Sequence, residues 1–250
     1  MISFLQILLI LLLRAGCSQF IQQAEQQAGQ VEYSYLVRQA DRTPQINAVW
    51  GKKFWNRAEK TSLKNYMGDY PSHFPKTQVR VKYDENYIYV TFRVKDNYVK
   101  AVATQTNGRV FQDSCVEFFF TPGPDVSRGY FNLETNCKGV FLFQYKNSNN
   151  KQAFVALDDA RQIEISHSLE ENVENEITKP LTWIIEYRIP FSVLSKYMEV
   201  DIPGPGVQWR ANFYKCADMT SHPHWLTWAP VDFLKPSFNR PEFFGWLNFE

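Results

Sequence analysis

No stretch of the 250-residue chain gathers Lys or Arg into a block, and the formal net charge is only +1. Neither a long-range field nor a local basic patch is available for nucleic acid or acidic lipid, which argues against both as partners. No nucleophile elbow, phosphate-binding loop or dinucleotide fingerprint occurs, so three large enzyme classes lack their signatures. The four histidines, His73, His167, His222 and His224, have no Cys or further His at zinc-like spacing, and they read as surface-loop residues with no metal site. No cofactor is called for: a haem would find only Met67 or His167 as axial ligands. There is no internal repeat and no second apolar domain.

The apolar run Ile2 to Leu13 is too short to cross a bilayer as a helix, for which about 20 residues are needed. It reads as the core of an export signal, although no Lys or Arg precedes it. Arg14-Ala15-Gly16-Cys17-Ser18 ends in the small-small-cysteine pattern of a lipoprotein cleavage site, with Cys17 the candidate lipid anchor. The competing reading is a buried N-terminal helix. On the export reading, residues 1–17 are the signal segment, the Gln-rich stretch 18–30 is a tether, and 31–250 form one domain. The protein is then expected in the periplasm, on the outer membrane or outside the cell.

What the chain has in surplus is rings: 20 Phe, 13 Tyr and 7 Trp make it 16% aromatic. Most of these rings are expected in the core, and some suit a surface where flat apolar faces meet a ligand. Short alternating runs separated by turn signals recur: Val79–Tyr83 and Tyr87–Val94 joined by Asp84-Glu85-Asn86, then Val140–Tyr145, Ile163–His167, Trp183–Ile189 and Val207–Tyr214. Val99–Ala103 reads as an extension of the sheet. Phe191–Tyr197 is the one convincing helical turn, started by Pro190. The Pro-rich, aromatic tail reads as ordered loop closed by an edge strand at Trp246–Phe249. The fold class is all-β, an antiparallel sandwich of jelly-roll or immunoglobulin-like type with one short helix.

The chemistry centres on Phe111–Phe120. Alternation puts Val116, Phe118 and Phe120 on one face and Cys115, Glu117 and Phe119 on the other. A hairpin to Tyr130–Thr135 sets Glu134 nearly opposite Glu117, a pairing that is unfavourable unless a Lys or Arg, a metal, or a hydroxyl-rich ligand neutralises it. The same register brings Cys115 within about one position of Cys137, so a disulfide and buried free thiols are both open. A glycoside hydrolase using Glu117 and Glu134 is the enzymatic alternative, and a non-enzymatic scaffold or assembly lipoprotein is the other.

Several stretches together resemble carbohydrate-binding module family 9: 43–47 with Phe54-Trp55-Asn56, 79–90, 113–119, 183–190 and Phe238-Asn239-Arg240-Pro241-Glu242-Phe243-Phe244-Gly245. The resemblance implies a sandwich that binds carbohydrate without catalysis, at polysaccharide or oligosaccharide chain ends, often beside glycoside hydrolases. It implies a two-ring clamp at Phe111 and Phe238, where the family has tryptophan. Glu117 falls on a glutamate that accepts hydrogen bonds from sugar hydroxyls. Asn132 falls where the family has arginine and Glu134 where it has asparagine, while Pro190 replaces a lysine. Arg240 completes the candidate set.

Overall fold

A computed structural model describes residues 33–149, 151–170 and 173–250. The expected export signal, the anchor at Cys17 and the tether at 18–30 lie outside the described residues.

The chain runs through β1 (Ser34–Gln39), β2 (Thr61–Ser62), β3 (Asn65–Tyr66), β4 (Lys76–Tyr83), β5 (Tyr87–Asp96), β6 (Cys115–Thr121) and β7 (Gly129–Asn136). It continues with β8 (Phe141–Asn147), β9 (Gln152–Phe154), β10 (Glu164–His167), β11 (Leu181–Pro190), β12 (Gln208–Cys216), β13 (Trp225–Thr227) and β14 (Gly245–Phe249). Two four-residue helices, α1 (Leu157–Ala160) and α2 (Phe191–Leu194), stand where one was expected; the second starts behind Pro190. The hairpin between β4 and β5 turns on Asp84, whose Oδ1 accepts from the backbone N–H groups of Asn86 and Tyr87, each at 2.9 Å. Gly129 opens β7 at φ 108°, where a Cβ would stand 2.0 Å from the carbonyl oxygen of Lys146, so only glycine fits the approach to β8.

The strands form one hydrogen-bonded path, β10-β11-β5-β4-β1-β14-β12-β6-β7-β8-β9, with β2, β3 and β13 as short additions. β1 belongs to both halves: Ser34 to Val37 pair with β14, and Arg38 and Gln39 with β4, in both cases parallel. The path therefore folds over, with open ends at β10 and β9, as a front half (β14, β12, β6, β7, β8, β9) and a back half (β4, β5, β11, β10) around one core. Val116, Phe118, Phe120, Leu133, Trp209 and Phe213 face that core from the front. Val79, Val81, Val90, Phe92, Trp183 and Tyr187 meet them from the back. Such interdigitated rings are why β6 reads as almost continuous apolar sequence.

The tail strand is not an edge. β14 is enclosed by β1 and β12, because Gly245 to Phe249 carry no proline and every N–H can join a ladder. At Gly245 a Cβ would lie 2.6 Å from the Tyr33 carbonyl oxygen, which explains the glycine where the strands converge. Val99–Ala103 is not a strand extension but irregular chain, joined to 177 by a single bridge. The disulfide alternative is also decided by alternation. Cys115 opposes Asn136, one position short of Cys137, so Cys137 points into the core and Cys115 out of it; all three domain thiols are free.

His224 is not a surface residue. It is fully buried beside Lys215, Asp96 and His73, with His222 stacked on nearby Tyr98. Lys215 Nζ donates to His224 Nε2 at 2.8 Å, and His224 Nδ1 lies 2.8 Å from the His222 carbonyl oxygen. These partners select the neutral imidazole with its proton on Nδ1. Burial, then the Lys215 ammonium, lowers the His224 pKa to about 3. Burial alone would raise Asp96, but Lys215 and the His73 hydrogen bond hold it below the usual carboxylate range. Both folded-state values are depressed, so the unfolded chain binds more protons in acid. Above about pH 4.5 the raised carboxyls of Glu117, Glu134 and Asp218 act in the opposite sense, so stability is expected to fall as pH drops from about 4 toward about 3, by up to about 1.4 kcal/mol per unit from His224. Denaturant melts across that range check it; a flat profile would contradict the buried neutral imidazole.

Candidate functional site

The outer face of the front half is polar in sequence but covered in the structure. Cys115, Glu117 and Phe119 of β6, Tyr130, Asn132, Glu134 and Asn136 of β7, and Asn212, Tyr214 and Cys216 of β12 all point outward, yet every one is buried. Two irregular segments roof them. The 99–113 segment is pinned by Asp113, which accepts from Val102 N–H at 2.9 Å, Ala103 N–H at 3.1 Å and the Asn136 amide at 2.9 Å. In the 217–244 segment, prolines at 223, 230, 236 and 241 prevent regular pairing over most of its length. Side chains fasten it instead: Tyr130 Oη donates to Asn239 Oδ1 at 2.8 Å, and Tyr214 Oη to the Phe238 carbonyl oxygen at 3.3 Å.

Phe111 sits half-buried on a single 3-10 turn, Val110–Gln112, at the edge of this roof. Its carbonyl oxygen accepts from Cys216 Sγ at 3.4 Å and from Asp218 N–H at 3.3 Å, which ties the two roof segments together. Phe238 belongs to the same apolar cluster but is only 8% exposed, and its ring stacks on Tyr214 at 4.1 Å between centroids. One face of Phe238 is thus occupied from within. Trp225, on β13 opposite Cys216, is a second partly exposed ring in this cluster.

The glutamates are paired in register as expected, Glu117 opposite Glu134. Among the described residues neither forms an ion pair with Lys or Arg. Burial instead pushes both carboxyls toward the protonated form. Glu117 is 2% exposed, its Oε1 accepts from Cys216 Sγ at 3.0 Å, and burial, with Cys216 and Glu134 beside it, pushes its carboxyl well above the ordinary range. Burial likewise raises Glu134 to about 7, against the Asn132 amide, which donates to Glu134 Oε1 at 2.9 Å. Asp218 is raised to about 6 by burial, opposed by a hydrogen bond from Trp225 and by Lys215. Arg240 is engaged at the rim, with its guanidinium carbon 3.3 Å from the Phe233 ring centroid and Nη1 3.9 Å from Glu242.

Several polar atoms here lack hydrogen-bond partners: Asn132 Oδ1, Glu134 Oε2 and Asp218 Oδ1 as acceptors, and Arg240 Nε as a donor. Buried acceptors without donors are costly. Asp218, Tyr214 and Cys216 escape sequence reasoning, since nothing in Lys215-Cys216-Ala217-Asp218 has a diagnostic spacing. Trp225 carries a signal only as one of many tail aromatics.

Residues 54–249 match the model of carbohydrate-binding family 9. Among solved structures, the fold is similar to that of a proposed carbohydrate-binding protein from Bacteroides uniformis, at a TM-score of 0.79 and 29% identity, covering 88% of this chain and 100% of that one. It is also similar to a family 9 module from Caldicellulosiruptor kristjanssonii in complex with cellotriose, at a TM-score of 0.54 and 17% identity, covering 86% of this chain and 92% of that one. A family 9 module of the same organism in complex with glucose gives a TM-score of 0.53 at 15% identity, over 86% of this chain and 95% of that one. No curated protein sequence matches. With a family model spanning most of its length and a sandwich of the same fold, the chain belongs to carbohydrate-binding family 9.

Proposed function

We propose that the chain binds carbohydrate without catalysis, on the roofed outer face of its front half. The supporting observation is the group of unpartnered acceptors, Asn132 Oδ1, Glu134 Oε2 and Asp218 Oδ1, set beneath partly exposed rings. Sugar hydroxyls donate to such acceptors while C–H-rich pyranose faces pack on aromatic rings. Phe111 supplies a ring at the edge of the site, Phe238 a wall backed by Tyr214, and Glu117, Asn132 and Glu134 the polar floor, with Arg240 at the rim. Trp225 and Asp218 join that set. The ligand class we infer is a gluco-oligosaccharide or chain end, in line with the cellotriose and glucose held by the Caldicellulosiruptor modules. Calorimetric titration with glucose and cellotriose tests this: saturable heat is expected, and silence toward both and across a glycan array would overturn the reading.

Hydrolysis by Glu117 and Glu134 is less well supported. A glycosidase needs two carboxyl groups flanking a sugar from opposite sides, whereas Glu117 and Glu134 are paired in register on adjacent strands of one face and so lie on the same side of a ligand. Incubation with cellotriose is expected to release no new reducing ends. The reading extends to an exported protein, anchored at Cys17 or free, that brings partner glycoside hydrolases to their polymer.

A further inference from the structure

We propose that Cys115, Cys216 and Glu117 form a zinc site in the floor beneath Phe111. Cys115 and Cys216 are directly opposed on the antiparallel strands β6 and β12, and Glu117 lies on the same face two residues along. One donor atom from each of the three falls within 4.8 Å of the others, and all three side chains are buried. A tetrahedral zinc ion with Zn–S near 2.3 Å and Zn–O near 2.1 Å places its donors about 3.6–3.8 Å apart, within the observed spacing. Cys216 Sγ and Glu117 Oε1 already lie 3.0 Å apart.

A second observation points the same way. Glu134, opposite Glu117 in register and 8% exposed, has Oε2 buried without a partner. Two thiols and two carboxyl groups thus lie side by side on one buried face, and among the described residues neither carboxyl has a Lys or Arg paired with it. A divalent ion takes the place of the protons that these groups otherwise hold. Two thiolates favour a borderline or soft ion over calcium or magnesium, and the absence of zinc-like spacing in sequence follows from ligands drawn from strands a hundred residues apart. On binding, the two thiols and the Glu117 carboxyl lose their protons to solvent and coordinate as thiolates and carboxylate, leaving the fourth position to a water. Cys137, on the other face, takes no part.

The test uses the full chain, loaded with Zn2+ or Co2+ and dialysed, with metal content measured by elemental analysis and the Co2+ form by absorption. About one ion per chain is expected, with a thiolate-to-cobalt charge-transfer band in the near ultraviolet. Cys216→Ser and Glu117→Gln are expected to weaken metal affinity by more than about tenfold, while Cys137→Ser leaves it unchanged. The cobalt band reads the thiolates in the unsubstituted protein, so misfolding of a variant does not blunt the test. Substoichiometric metal, a cobalt spectrum without a thiolate band, or a Cys115–Cys216 cross-link in a non-reduced digest would each overturn the proposal. Metal content and sugar titration are separate readouts, so failure of one is distinguishable from failure of the other.

Discussion

Replacing Glu186 by alanine is expected to destabilise the domain by about 3–5 kcal/mol, a large share of the roughly 5–15 kcal/mol typical of a folded domain. Glu186 lies on β11 with its side chain fully buried, and it fastens the Ile46–Trp55 segment to the outside of the back half. Its Oε2 accepts from the backbone N–H groups of Asn47 at 3.0 Å and Ala48 at 2.8 Å, its Oε1 accepts from Trp55 Nε1 at 3.0 Å, and Lys52 forms an ion pair with it. Alanine would strand three donors and a cation under the plug of Ile46, Phe54, Trp55 and Tyr89. Losing one partner of a buried network costs more than the network contributes, because the others stay desolvated. Glu186→Gln keeps acceptor oxygen but not charge, so a smaller loss of roughly 1–2 kcal/mol is expected. Urea melts of both variants decide it; a loss below about 1 kcal/mol for Glu186→Ala would mean that the plug holds by apolar packing alone.

For ligand binding the largest effect is expected at Phe111. Phe111→Ala should cost about 1.5–3 kcal/mol of carbohydrate affinity, roughly ten- to a hundredfold. The fold should survive, because the neighbouring segments hold this turn through the Phe111 carbonyl oxygen, which alanine retains. Phe238 is a poorer first choice: its ring packs on Tyr214, and truncation would leave a cavity that lowers stability as well as affinity. Titration of folded Phe111→Ala with cellotriose reads the effect; affinity within about twofold of the parent would remove the ring from the site.

The parts of this protein that were legible in sequence are those set by strand alternation. The two faces of β6, the Glu117–Glu134 register and the Asp84 hairpin follow from period-2 patterning and turn chemistry, because each is decided within about twenty residues. What alternation cannot show is which distant segment covers a face. The buried state of His224, the enclosure of β14 and the pairing of Cys115 with Cys216 rather than Cys137 depend on β12 meeting β6 across some ninety intervening residues. Asp218 illustrates the same limit at the site. Its carboxyl matters because the chain after β12 folds back against Phe111, a contact with no local signature.

A crystal structure of the chain with cellotriose addresses the central claim most directly. The account predicts a pyranose ring against Phe111, with hydroxyl groups donating to Asp218, Asn132 or Glu134 on the roofed front face. A sugar bound instead on the back half, or at the hollow lined by Arg38, Arg57 and Lys82, would contradict it.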